Sequence, residues 1–146
     1  RLTFYRSNWY LAAWCHQSEE LRVFSVDRID KPRISGEPAF EPPADTIAAE
    51  LDSSYGIFTG RADRTAVLKF DALAARWVGE EEWHPGAKAE PQADGGVVLR
   101  IPYKHDTELV MDVLRHGVHC EVLAPPELRK TVAAALATAA QQYRTR

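Results

Sequence analysis

Residues 8–15 (Asn-Trp-Tyr-Leu-Ala-Ala-Trp-Cys) carry the clearest period-two signal in the first third of the chain. Strict alternation puts Trp9, Leu11, Ala13 and Cys15 on one face of a strand, and Tyr10, Ala12, Trp14 and His16 on the other. Neither face is purely polar, which fits a strand of a small barrel with something docked outside. Gln17 to Glu20 reads as a turn and Leu21 to Val26 as the returning strand. A third strand is expected from Arg28 to Ile34, with Pro32 marking an edge or a bend. Pro42-Pro43 closes a proline-containing linker, and Asp45 or Thr46 is placed to cap a short helix through Leu51, with Ile47 and Leu51 on one face. Tyr55 to Gly60 reads as a loop.

From Thr65 the pattern changes to strand–helix–strand–strand–helix–strand. Ala66 to Phe70 is expected as a strand and Ala72 to Val78 as a short helix. Glu81 to Pro91 and Gly96 to Tyr103 form a hairpin, turned by Asp94-Gly95-Gly96. Asp106 or Thr107 caps a helix whose Leu109, Val110, Val113 and Leu114 make an apolar stripe, and Gly117 ends it. His119 to Leu123 is a strand. Pro125-Pro126 opens a last helix, whose Leu128, Val132, Ala135 or Leu136, Ala139 and Tyr143 define a packing face. The fold class expected is α+β: C-terminal strands of a small SH3/Sm-like β-barrel, then a ferredoxin-like α/β sandwich.

The chain has 146 residues, 45% hydrophobic and 27% charged, as in one ordinary globular domain or two small ones. It starts at Arg1 and its one methionine is Met111, so it reads as a piece of a longer protein; three short strands at the front bury no core of their own. The net charge of −3 is unevenly spread: residues 1–34 hold six bases against four acids, and residues 35–60 hold five acids and no base. An acidic chain argues against strong duplex binding, which needs many phosphate contacts, yet leaves room for a local basic site. No apolar run is long enough to span a bilayer, and there is no basic-then-apolar leader. Two cysteines, Cys15 and Cys120, are too few for a disulfide framework, so a reducing cytoplasm is expected.

Trp9-Tyr10-Leu11, with Arg22-x-Phe-x-x-Asp27-Arg28-Ile29 after it, resembles the WYL domain of bacterial transcription regulators. Further segments resemble the WCX extension that follows WYL in many of them. These are Glu82-Trp83-His84-Pro85, His116-Gly117-Val118, Val122-Leu123-Ala-Pro125-Pro126-x-Leu128-Arg129 and the final Tyr143. The resemblance implies a partial WYL barrel over 1–42, a linker with a short helix over 43–64 and a WCX extension over 65–146. It implies an effector groove between barrel and extension, a homodimer, and operator DNA read only through an N-terminal helix-turn-helix outside this chain. It also implies a cytoplasmic, nucleoid-associated regulator. The family's early strands and their basic residues are absent here.

Aromatics beside arginines suit an anionic, stackable ligand, with short single-stranded DNA the first choice and a nucleotide the second. Arg22 and Arg28 lead as phosphate clamps, or else pair with Asp27, Glu19 or Glu20 as surface bridges. Tyr10 and Trp9 stack bases or belong to the core; the bulk of Trp9 favours burial. Trp83 and His84 face the groove or pack. Arg61 and Arg64 reach a ligand from a glycine loop or are solvated. Arg100 and Lys104, four apart on a strand, form a basic stripe or the solvent side. No cofactor is implied. His116-x-x-His119-Cys120 lacks a fourth ligand and is broken by Gly117, so no metal is expected. Cys15 and His16 point to opposite faces, and no nucleophile elbow, phosphate loop or metalloprotease motif is present, so no enzyme is expected. The competing readings are a purely structural homodimerisation module and a small-molecule sensor.

Overall fold

A computed structural model describes residues 1–51, 55–56, 61–81 and 83–144. The chain divides into two compact units, residues 1–53 with 57–61, and residues 54–56 with 62–146.

The first unit holds an antiparallel sheet in the order β1-β2-β3, with β1 at Leu2–Tyr5, β2 at Asn8–Cys15 and β3 at Glu20–Ser25. Strand β1 is absent from the sequence expectation. The hairpin joining it to β2 turns on Arg6, at φ 56, and Ser7, between the paired Tyr5 and Asn8. A two-residue turn of that kind usually advertises itself with glycine or asparagine, and here it does not. The third strand expected at Arg28–Ile34 does not form. The chain leaves β3 through a 3₁₀ turn at Val26–Arg28, and Ile34 is fully exposed. Asp27 accepts hydrogen bonds from the Ser25 hydroxyl and from Asn8 Nδ2 (3.1 Å), which ties the turn to the start of β2. Beyond it, Lys31 at φ 49 and Pro32 are incompatible with a continued ladder. Helix α1 spans Ala44–Leu51.

The second unit is a four-stranded antiparallel sheet in the order β5-β6-β4-β7. Its strands are β4 at Arg64–Phe70, β5 at Lys88–Pro91, β6 at Val97–Tyr103 and β7 at Cys120–Ala124; its helices are α2 at Ala75–Val78, α3 at Thr107–His116 and α4 at Pro126–Gln142. The strand–helix–strand–strand–helix–strand rhythm read from the sequence is present, and two antiparallel sheets with helices make the class α+β. Ala66, Leu68 and Phe70 alternate inward from β4 and meet Leu99, Ile101 and Tyr103 of β6 in one core with Leu109, Val113, Leu128 and Val132 of the helices. Tyr55, expected in a loop, is buried in that core.

Several boundaries move for local reasons. Helix α2 begins only at Ala75, because Asp71 first closes a turn by accepting from the amides of Leu73 (3.1 Å) and Ala74 (2.9 Å). The hairpin arm expected from Glu81 is a strand only from Lys88. Asp106 precedes α3 without a side-chain cap bond, and Gly117, at φ 55 and ψ −122, ends it in a conformation that a side chain disfavours. The packing face of α4 stops early. Leu128 and Val132 are buried, whereas Leu136 and Tyr143 are exposed. Seventeen helical residues extend about 26 Å and the five residues of β7 about 17 Å, so the helix outruns the sheet it packs on.

Candidate ligand-binding surface

Register decides which side chains of the first sheet share a face. Leu2 pairs with Leu11 and Leu11 with Phe24; Phe4 pairs with Trp9; Ala13 pairs with Arg22. Paired residues point the same way, and so do residues two apart along a strand. Trp9 and Arg22 therefore lie on one face. Trp9 is 52% exposed, so the burial expected from its size is not realised among the described residues; it leans on Phe4 at 5.3 Å between ring centroids. Tyr10 lies on the opposite face, half-buried, in register with Thr3 and Ser25. That face carries the buried Ala12, and Trp14 on it packs against Phe40 at 5.0 Å.

Arg22 pairs with Glu20 at 2.7 Å, with both side chains more than half exposed. Such a pair is worth little in water and is open to exchange. Arg28 ends the 3₁₀ turn, exposed and without an ion pair among the described residues. The hydrogen bonds from Ser25 and Asn8, with the nearby charge of Arg28, hold the Asp27 carboxyl below its ordinary value.

The remaining candidates lie elsewhere. Arg61 is exposed; the loop at 57–60 before it lies outside the described residues. Arg64 bonds the Lys104 carbonyl, pairs with Asp63 at 3.3 Å and lies over the Tyr103 ring at 4.7 Å, so it is a packed edge residue rather than a loop arm. Arg100 is held by Glu90 at 2.8 Å, and Lys104 falls just beyond the end of β6, so the two do not form a stripe on one strand. Trp83 packs against the second core. Its ring lies 6.1 Å from Tyr55, 5.6 Å from Phe70 and 5.8 Å from His116, and its indole N–H donates to the Val78 carbonyl at 3.1 Å. His84 Nδ1 accepts from the Gly86 amide at 2.9 Å, and Nε2 is buried without a hydrogen-bond partner among the described residues, so it is not offered to a phosphate.

The histidines and cysteines near the second core have other duties. His116 packs edge-on to Phe70 at 5.1 Å, His119 pairs with Asp71 at 2.7 Å, and burial pushes the Cys120 thiol up to about 12. Among the described residues no group of three or more His, Cys, Asp or Glu side chains is placed to hold a metal ion. A shallow depression lined by Lys69, Asp71, Asp94, His119 and Glu121 has its carboxylates already engaged, Asp94 by Lys69 (3.2 Å), Asp71 by the His119 ring (2.7 Å) and Glu121 by Arg129 (2.7 Å).

Burial lowers the pKa of both His84 and His116, the latter also through Arg115. The folded unit resists protons that the unfolded chain accepts near pH 6.5. Their contribution to stability is therefore present above about pH 6.5 and is lost as pH falls through that value toward the folded pKa values. Urea unfolding at about pH 7.5 and about pH 5.5 is expected to give the lower midpoint at the acid end. Equal midpoints would contradict the burial of these rings.

The order of these two units, a β-sheet followed by an α/β unit, is that of chains in which a WYL domain precedes a WCX domain. Residues 62–140 match the WCX domain and residues 1–34 the WYL domain; the first match covers over half of the chain, which belongs to the WCX family. Among individual proteins, the chain is similar to Protein PafC of Mycobacterium tuberculosis (strain ATCC 25618 / H37Rv), at 30% identity over 134 residues, or 92% of this chain and 41% of the relative. Protein PafC of Mycobacterium leprae (strain TN) is likewise 30% identical over 135 residues, covering 92% of this chain and 40% of the relative. The chain thus spans about two fifths of the curated relatives it matches. A solved structure, Proteasome accessory factor B/C (PafBC) of Arthrobacter aurescens, aligns with 98% of this chain and 21% of its own at 27% identity and a TM-score of 0.47. No helix among the described residues is long and apolar enough to cross a membrane.

Proposed function

We propose that this chain is the effector-sensing and dimerisation region of a bacterial WYL-type transcription regulator, and that its effector is short single-stranded DNA. The observation that carries the effector is the placement of exposed Trp9 and Arg22 on one sheet face, a π surface beside a cation. The WYL and WCX matches support the regulatory class. The region acts by binding rather than catalysis. Effector binding shifts a dimer between arrangements, and so alters how helix-turn-helix modules elsewhere in the full cytoplasmic protein meet their half-sites.

Fluorescence anisotropy with labelled single-stranded and duplex oligonucleotides across a salt series tests this reading. Single strands are expected to bind more tightly than duplex. Arg22→Ala is expected to weaken binding about tenfold and to flatten the salt dependence by about 0.7 in log–log slope, one phosphate contact on a single strand. Binding indifferent to salt and to Arg22 would refute it.

A second reading, a homodimerisation module without ligand, draws on the far end of α4, where Leu136 is 43% and Tyr143 88% exposed.

A further inference from the structure

The second sheet ends on two strands of different character. Strand β5, at one edge, is four exposed residues long, and Pro91 among them brings no N–H to a ladder. Strand β7 forms the other edge, hydrogen-bonded to β4 on one side. The Asp71 amide donates to the His119 carbonyl at 3.2 Å. Asp71, and with it Lys69 two residues back, therefore turns its backbone groups toward β7, and Leu68 turns its own toward β6. Val122 pairs with Leu68, so its N–H and C=O face away from the sheet. Arg129, in the first turn of α4, donates to that carbonyl and to the Glu121 carboxylate (2.7 Å). Just beyond, the register shifts: Leu68 pairs with Val122 and Val67 with Ala124, which leaves Leu123 as an extra residue, 43% exposed. A covered carbonyl, a charge and a bulge are devices that keep an edge from pairing.

We propose that the outer edge of β7 is a strand-addition site held closed by Arg129, and that the strand it excludes is β7 of a second copy of the chain. A two-fold axis through Val122 sets the two Val122 residues opposite one another, each carbonyl placed to receive the other's N–H. The same register puts Cys120 opposite Ala124 and Glu121 opposite Leu123, so no like charges meet. The Val122 carbonyl is the central acceptor of that pairing, and Arg129 already fills it. Strand β5 is a poorer partner. Pro91 removes a donor, and joining two different edges is head-to-tail, which runs on into a filament instead of closing. Glu121 holds the guanidinium beside the edge; with both side chains more than half exposed, the ion pair contributes position rather than stability. A dimer of the chain does not use this edge while Arg129 is in place.

Hydrogen exchange of the unaltered chain, followed amide by amide, is the first arm of the test and needs no variant. The outward Val122 N–H is expected to exchange about tenfold faster or more than the Glu121 N–H, which faces β4. Equal protection of the two would show the edge already paired and overturn the proposal. In the second arm, Arg129→Met keeps the apolar stem and removes the guanidinium. Its weight-average mass by sedimentation equilibrium is expected to rise to about twice the parent's at the same concentration, with exchange at Val122 slowed about tenfold or more. Adding Leu123→Glu, which sets like charges opposite one another in the two-fold register, is expected to return the mass to that of the parent. A folded Arg129→Met chain of parental mass overturns the proposal. So does a gain in mass that leaves Val122 unprotected or survives Leu123→Glu. Arg129→Ala carries the same expectation should the methionine chain fail to fold.

Discussion

Replacing Trp83 with alanine is expected to lower the unfolding free energy of the second unit by about 3 kcal/mol or more. The ring is one wall of an aromatic group with Tyr55, Phe70 and His116. Its N–H is bound to the Val78 carbonyl, so truncation leaves a cavity and an unmatched acceptor together. Phe70 is fully buried and fixed in the central strand β4, which limits how far the site can collapse around the gap. Urea titration followed by far-UV dichroism measures the loss. Oligonucleotide affinity at the first sheet is expected to be unchanged under conditions where the variant remains folded. A Trp83→Ala chain that keeps its stability and loses affinity would return Trp83 to the list of ligand contacts.

Tyr55→Phe is expected to cost about 1–3 kcal/mol. The Tyr55 hydroxyl donates to the carboxylate of Asp112, which is 2% exposed on α3, and the two are 57 residues apart in sequence. Phenylalanine fills nearly the same volume, so the loss reports the hydrogen bond to a buried carboxylate rather than packing. Asp112→Asn keeps an acceptor for the hydroxyl and is expected to be milder than Asp112→Leu, which removes it. Differential scanning calorimetry of the three variants measures the order; a Tyr55→Phe transition unchanged in temperature would show that the bond contributes nothing.

These two residues mark where sequence reading succeeds and where it stops. The boundaries of β2 and the core of α3 are legible because their apolar positions repeat with the period of the element itself. The stripe Leu109, Val110, Val113 and Leu114 needs no knowledge of what it packs against. Tyr55 is not legible as a core residue, since its flanks read as a loop and its partner Asp112 lies a helix and three strands away. Strand β1 is hidden by a turn whose left-handed residue is an arginine. The α4 face is correctly periodic but longer than its partner surface, a fact that only the length of β7 reveals.

The candidate surface was legible by halves. Alternation alone separates Trp9 from Tyr10. Placing Arg22 beside Trp9 rather than beside Tyr10 requires the β2–β3 register, because a slip of one residue would reverse it. Trp83 and His84 are candidates by residue type alone, and the structure packs Trp83 against Phe70 and buries His84 Nε2: an aromatic ring and an imidazole serve a core as readily as a ligand.

The most direct measurement is a titration of the isotope-labelled chain with short oligothymidylate, followed by nitrogen–proton correlation spectra that include the tryptophan indole and arginine Nε signals. Shifts concentrated on the Trp9 indole and Arg22 Nε, with the Trp83 indole unmoved, are the expected result. Shifts confined to the second unit, or none at saturating strand, would contradict the assignment of effector binding to the first sheet.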